Sequence, residues 1–174
     1  MQTRTHREMT VPADTACLAQ VRQAVIEVLG EVFSPVKANM IALAVDEAVA
    51  NIVEHAYQVD GAEVPGGPDP RGGESGGGPG TVRANTIQVV LDANAQRFEV
   101  LIRDCGMGFD PREAPEVDVR EHVKSGRKGG LGIFLMRRIM DEINYTFKHG
   151  VQNQLQMIKY IDPDAPGHKN KVAG

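Results

Sequence analysis

The sequence predicts one α/β domain built from amphipathic helices and short alternating strands. Three observations predict it. Two segments in the first third repeat apolar residues at helical spacing. Residues 86–103 alternate apolar and polar side chains, the period of half-buried strands. A third helical segment is then followed by two more strands. The chain's 174 residues suit one domain, since domains run to about 100–200 residues. Neither half looks complete alone, so residues 1–161 are expected to form a single unit.

Taken in order, residues 7–11 form a first edge strand. Asp14 and Thr15 are candidate caps for a helix over about 15–32, with Leu18, Val21, Val25, Val28 and Leu29 on one face. Ser34-Pro35 starts a second helix, serine as N-cap and proline in the first turn. It runs to about Tyr57 with an apolar stripe of Ile41, Val45, Ala48, Val49, Ile52 and Ala56. Residues 59–85 are rich in glycine and proline and poor in large apolar side chains. Such a stretch cannot bury enough surface to offset its chain entropy, so a flexible surface insertion is expected. Strands over about 86–92 and 97–103 are joined by a hairpin turn at Asp92-Ala-Asn-Ala. Residues 109–128 are polar and end in Lys124, Arg127 and Lys128. A helix over about 130–141 precedes strands at about 143–148 and 152–160, which meet at His149-Gly150. Residues 162–174 read as a disordered tail.

Composition excludes several classes. The net charge of −4 is the opposite of a general nucleic-acid footprint, so no direct nucleic-acid contact is expected. Cys17 and Cys105 are far apart, and neither they nor the five histidines have metal-site spacing. No apolar run approaches the roughly 20 residues of a membrane helix, and the N-terminus lacks a signal-peptide core. A cytoplasmic protein without membrane contact is the expectation.

Three short motifs carry chemistry. Glu47 and Asn51 lie about 40° apart on the second helix, at one border of its buried stripe. A carboxylate there can take a proton. An amide oxygen one turn on can bind Mg²⁺, which prefers hard oxygen ligands. Asp104 ends a strand ahead of a turn in which Gly106 and Gly108 can supply positive φ. Its carboxylate can accept a hydrogen bond from an exocyclic amino group, which would select adenine. Gly129-Gly130-Leu131-Gly132 opens a helix, where free N–H groups and the helix dipole suit an anion. Lys128 adds countercharge. Each motif alone also reads as ordinary structure: a solvated helix face, an Asp-Gly turn, a loose helix start. Together they describe a nucleotide site, and the Walker pattern G-x-x-x-x-G-K-[ST] does not occur.

In this order and spacing the motifs resemble the GHKL superfamily of ATP-binding domains. Glu47-x-x-x-Asn51 is similar to its N box, Asp104-x-Gly106-x-Gly108 to its G1 box, and Gly130-x-Gly132 to its G2 box. The flanks Asp46–Tyr57 and Gly129–Glu142 resemble the bacterial anti-sigma-factor serine kinases. The resemblance covers about residues 10–160, apart from the insertion. It implies a two-layer α+β sandwich, with helices on one face of a mixed, mostly antiparallel sheet. It implies ATP and Mg²⁺ as cofactors, with Glu47 as general base and Asn51 as the Mg²⁺ ligand. Asp104 would bind the adenine amino group. Gly106, Gly108, Lys128, Gly130, Leu131 and Gly132 would line the ATP pocket under a lid drawn from 109–128.

The function so implied is a serine/threonine protein kinase that phosphorylates an anti-anti-sigma partner of the STAS type and sequesters a sigma factor. A homodimer is implied as well. The alternative is a non-catalytic switch read by its ATP or ADP state. A histidine kinase fits less well, because His6 lacks a helical hairpin around it. One departure concerns the last strands. The superfamily often has a Gly-Thr pair there, and the matching stretch reads Val151-Gln-Asn-Gln-Leu155. The adenine contact at that place is left unassigned.

Overall fold

A computed structural model describes residues 4–56, 85–106, 131–148 and 152–161. The chain runs β1 (Thr5–Pro12), α1 (Cys17–Leu29), α2 (Pro35–Ala56), β2 (Thr86–Ala93), β3 (Arg97–Asp104), α3 (Leu131–Ile139), β4 (Glu142–Lys148) and β5 (Gln152–Tyr160). The five strands form one sheet in the order β1-β2-β3-β5-β4, and its four pairings are antiparallel. Chain order is broken once: after β3 the chain passes through α3 to the far edge, and β5 then fills the gap between β3 and β4. The result is the expected two-layer α+β sandwich, except that the sheet, expected to be mixed, is antiparallel at every pairing among the described residues. The insertion, apart from Asn85, lies outside the described residues, as do 109–128, the 149–150 turn and the tail.

Period-two alternation builds the core from the sheet side. Ile87, Val89, Leu91 and Ala93 of β2 are buried, as are Phe98, Val100 and Ile102 of β3 and Leu155 and Met157 of β5. Register stacks them into rows, Leu91 opposite Val100 and Val100 opposite Met157. From the helix side, α1 contributes Cys17, Val21, Ala24, Val25, Val28 and Leu29. The expected stripe of α2 is buried at Ile41, Val45, Ala48, Val49 and Ile52. Met136, Ile139 and Met140 close the layer from α3 and the residue after it. Phe98 is fully buried on the central strand. Phe98→Ala is expected to cost about 3–5 kcal/mol through lost burial and the cavity left behind. A urea titration checks this, and a cost under about 1 kcal/mol would place the core elsewhere.

The other face of the sheet is polar. Arg103 donates to Gln88 Oε1 and Gln154 Oε1, each at 3.1 Å, and Gln88 donates to Glu8 Oε1. This row crosses β1, β2, β3 and β5. It points Arg103 outward, so Ile102 and Asp104 on either side of it point inward.

Local chemistry differs from expectation at the start of α1, while the β2–β3 turn falls in the expected stretch. Helix α1 starts at Cys17 with Ala16 as its cap residue and no side-chain cap bond. Asp14 instead closes a short turn, its Oδ1 accepting the Ala16 N–H at 2.8 Å. Leu18 consequently sits beside the core, and Cys17 takes the buried position. The β2–β3 turn centres on Asn94, two residues past Asp92. Its Oδ1 accepts from the N–H groups of Gln96 (2.8 Å) and Arg97 (3.0 Å). Ser34 does start α2: its carbonyl accepts from Ala38 at 2.9 Å.

Candidate functional site

Helix α2 packs against α1, α3 and β3, so its rotation decides what faces each. The buried apolar stripe of α2 sets that rotation, and one clasp accompanies it. Arg22 of α1 donates to Asp46 Oδ2. The other oxygen, Asp46 Oδ1, is buried without a hydrogen-bond partner among the described residues. Burial pushes the Asp46 carboxyl up, with Arg22 opposing. With Asp46 tied to α1, Glu47 is turned about 100° away along the helix.

Glu47 meets the start of α3. A Cβ built on Gly132 would lie 3.1 Å from Glu47 Cδ and 3.3 Å from its Cβ, and closer still to Oε2. Only a glycine lets the α3 backbone approach this carboxylate so nearly. Two motifs 85 positions apart in the chain (47 to 132) therefore meet at one point. One turn further along α2, Asn51 Nδ2 is buried with no hydrogen-bond partner among the described residues. A buried amide group left unpaired costs about 1–3 kcal/mol. The two ends of an asparagine amide differ only by a flip. Turned over, Asn51 presents an unpaired oxygen instead, the donor type a hard cation takes.

Asp104 forms the second cluster. It is the last inward position of β3, after Phe98, Val100 and Ile102, and only 4% of it is exposed. Opposite it in register is Asn153 of β5, equally buried. Asp104 Oδ1 accepts from Asn153 Nδ2 at 2.9 Å and from the Gly106 N–H at 2.8 Å. The second Asn153 amide hydrogen goes to the Gly106 carbonyl at 2.9 Å. Burial raises the Asp104 carboxyl above the usual range, and these two donors oppose the shift. Among the described residues nothing donates to Oδ2. Burial and the neighbouring Asp104 also push the Cys105 thiol up, so it is not an activated thiolate.

The structure thus brings Glu47 to Gly132 and encloses Asp104 and Gly106 with Asn153. Helix α2 touches both α3 and β3, the elements that carry these two clusters. Gly108, Lys128 and Gly130 lie outside the described residues, as does the side chain of Leu131. Among the described residues no three His, Cys, Asp or Glu side chains group as a metal site. Asn153 and Asp46 were not expected. Asn153 had two visible signals: it lies in the stretch 151–155 matched to the last-strand adenine contact, and it is in step with Leu155 and Met157 on the buried face of its strand. Asp46 had none beyond lying next to Glu47, because its partner Arg22 is on another helix.

The sheet and the helices packed on it have counterparts among known proteins. The chain belongs to the histidine kinase-like ATPase domain family, whose profile matches residues 11–159. It is similar to the serine-protein kinase RsbW of Bacillus cereus, 26% identical over 159 residues, covering 88% of this chain and 84% of that protein. The RsbW of Halalkalibacterium halodurans is 28% identical over 164 residues, covering 90% and 84%. Among solved structures, a chain of the SiaB–SiaC complex from Pseudomonas aeruginosa superposes with a TM-score of 0.55 at 14% identity. That superposition covers 88% of this chain and 89% of the other. The last likeness is one of fold. No helix among the described residues is long and apolar enough to cross a membrane.

Proposed function

We propose that this chain is an ATP-dependent protein serine/threonine kinase. Its acceptor would be an anti-anti-sigma protein of the STAS type, and it would sequester a sigma factor, as a homodimer. The observation that carries the reading is the contact between Glu47 and Gly132. It sets a proton acceptor against the start of α3, the place where backbone N–H groups suit a phosphate. The likeness to RsbW proteins, which are named serine-protein kinases, supports the same chemistry.

The residues divide the work. Asp104 Oδ2 accepts from the amino group of adenine. Gly132, with Gly130, Leu131 and Lys128, receives the phosphates. Gly106 and Gly108 shape the turn beneath the base. Asn51 fits Mg²⁺ through its otherwise unpaired amide, and the ion when bound neutralises phosphate charge. Glu47 accepts the proton of the attacking serine hydroxyl. Phosphoryl transfer needs mainly positioning and charge neutralisation, and these groups supply both.

The test is incubation with Mg-ATP and the cognate acceptor, read as phosphoserine by mass spectrometry. Phosphoserine on the acceptor supports the kinase. Tight, Mg²⁺-dependent ATP binding without transfer would leave a nucleotide-read switch in its place. No ATP binding at all would end both readings.

Gly132→Ala probes the contact directly. The new methyl meets mainly the mobile end of Glu47, and alanine favours a helix over glycine by about 1 kcal/mol. Stability is expected to change little while transfer falls at least tenfold, because the base is displaced. Melting temperature and transfer rate on the same sample check it. A variant with unchanged rate would mean the carboxylate has no set position.

A further inference from the structure

We propose that Asn153 is a positioning residue for base recognition: it binds Asp104 Oδ1 and the Gly106 carbonyl, leaves Oδ2 as the acceptor, and so makes the site select a 6-amino purine over a 6-oxo purine. The inference rests on the nucleotide-binding reading above and adds to it the residue that positions Asp104 for that selection.

The geometry is specific. Asn153 is buried, stands directly opposite Asp104 in the β3–β5 register, and spends both amide hydrogens there, each at 2.9 Å. Together with the Gly106 N–H at 2.8 Å, Oδ1 of Asp104 holds two donors. That number satisfies the lone pairs of one carboxylate oxygen. Donors on Oδ1 favour the ionised form, which can only accept. An acceptor at Oδ2 suits an exocyclic N–H₂ group. A 6-oxo group would bring its own lone pairs against the same oxygen, an unpaired contact in a buried place. Asn153 also ties the Gly106 turn to β5, so one side chain fixes both the carboxylate and the turn beside it.

Removing the donors changes the selection and not only the strength. With Asn153→Leu, Oδ1 loses a donor in a desolvated site. A carboxyl that then holds a proton can donate to a 6-oxo group.

The experiment is calorimetric titration of ADP and of IDP, in Mg²⁺ buffer, into wild type, Asn153→Leu and Asn153→Thr. Threonine returns one donor. Wild type is expected to prefer ADP by about a hundredfold, two hydrogen-bond equivalents on the affinity scale. Asn153→Leu is expected to weaken ADP at least tenfold and to narrow the ADP-to-IDP ratio at least tenfold, with Asn153→Thr between. A variant that weakens both nucleotides equally, leaving the ratio unmoved, overturns the proposal, since that is what a merely structural residue does. If Asn153→Leu fails to fold, the ratio in Asn153→Thr decides. If neither folds, Asn153 serves the fold and the proposal is overturned. A wild type that binds ADP and IDP alike overturns it while nucleotide binding stands. A wild type that binds neither removes the nucleotide reading itself.

Discussion

Glu47→Gln is expected to lower phosphoryl transfer by about 10²–10⁴-fold, the usual contribution of a positioned general base. ATP affinity should stay within about threefold of wild type, about 0.7 kcal/mol. Glutamine keeps the length and shape of the side chain, so the close approach of Gly132 is preserved. What it loses is the ability to accept a proton. Asp46, the adjacent carboxylate, is a poor substitute because it is held by Arg22 toward α1. The measurement is the single-turnover rate with saturating Mg-ATP and the acceptor protein. An undiminished rate would remove Glu47 from the chemistry. Loss of ATP affinity in step with rate would make it a binding group instead.

Asp104→Asn is expected to move stability and binding in opposite directions. Burial holds the Asp104 carboxyl above the usual carboxylate range. The native state therefore binds that proton more tightly than the unfolded chain. Its contribution to stability is fully present below the unfolded carboxylate range and is lost as pH rises through the raised native value. At neutral pH the buried charge is a net cost. The new amide keeps an oxygen for the Gly106 and Asn153 donors and carries no charge. Its melting temperature should exceed wild type at pH 7, with the gain vanishing in acid below the ordinary carboxylate range. Nucleotide affinity should fall about ten- to hundredfold, the worth of one hydrogen bond to a charged group. Thermal melts across pH, paired with ADP titration, check both halves. A variant less stable at pH 7 would show that the bonds to Oδ1 need the charge more than burial opposes it.

Much of the fold is legible along the chain because its signals are local. Alternation through Phe98, Val100 and Ile102 already puts Asp104 on the inward face. Helical spacing puts Glu47 and Asn51 one turn apart at the border of the α2 stripe. Ser34-Pro35 marks the start of α2 within a residue. The misread start of α1, at Asp14, has a local cause. A short polar side chain can close a turn or cap a helix, and which it does depends on backbone angles that its neighbours impose.

The site divides along the same line. Residue identity and spacing along one helix or strand sufficed to nominate Glu47, Asn51 and Asp104, since side-chain direction follows from a period. Which of them meet required the packed molecule. Gly132 reaches Glu47 only because α3 docks on α2, and Asn153 reaches Asp104 only because β5 inserts between β3 and β4. Arg22 meets Asp46 across two helices. Such contacts join residues tens of positions apart, and no local period records them. They arise when burial of the shared apolar face brings the elements together, and sheet order and helix docking then choose the partners.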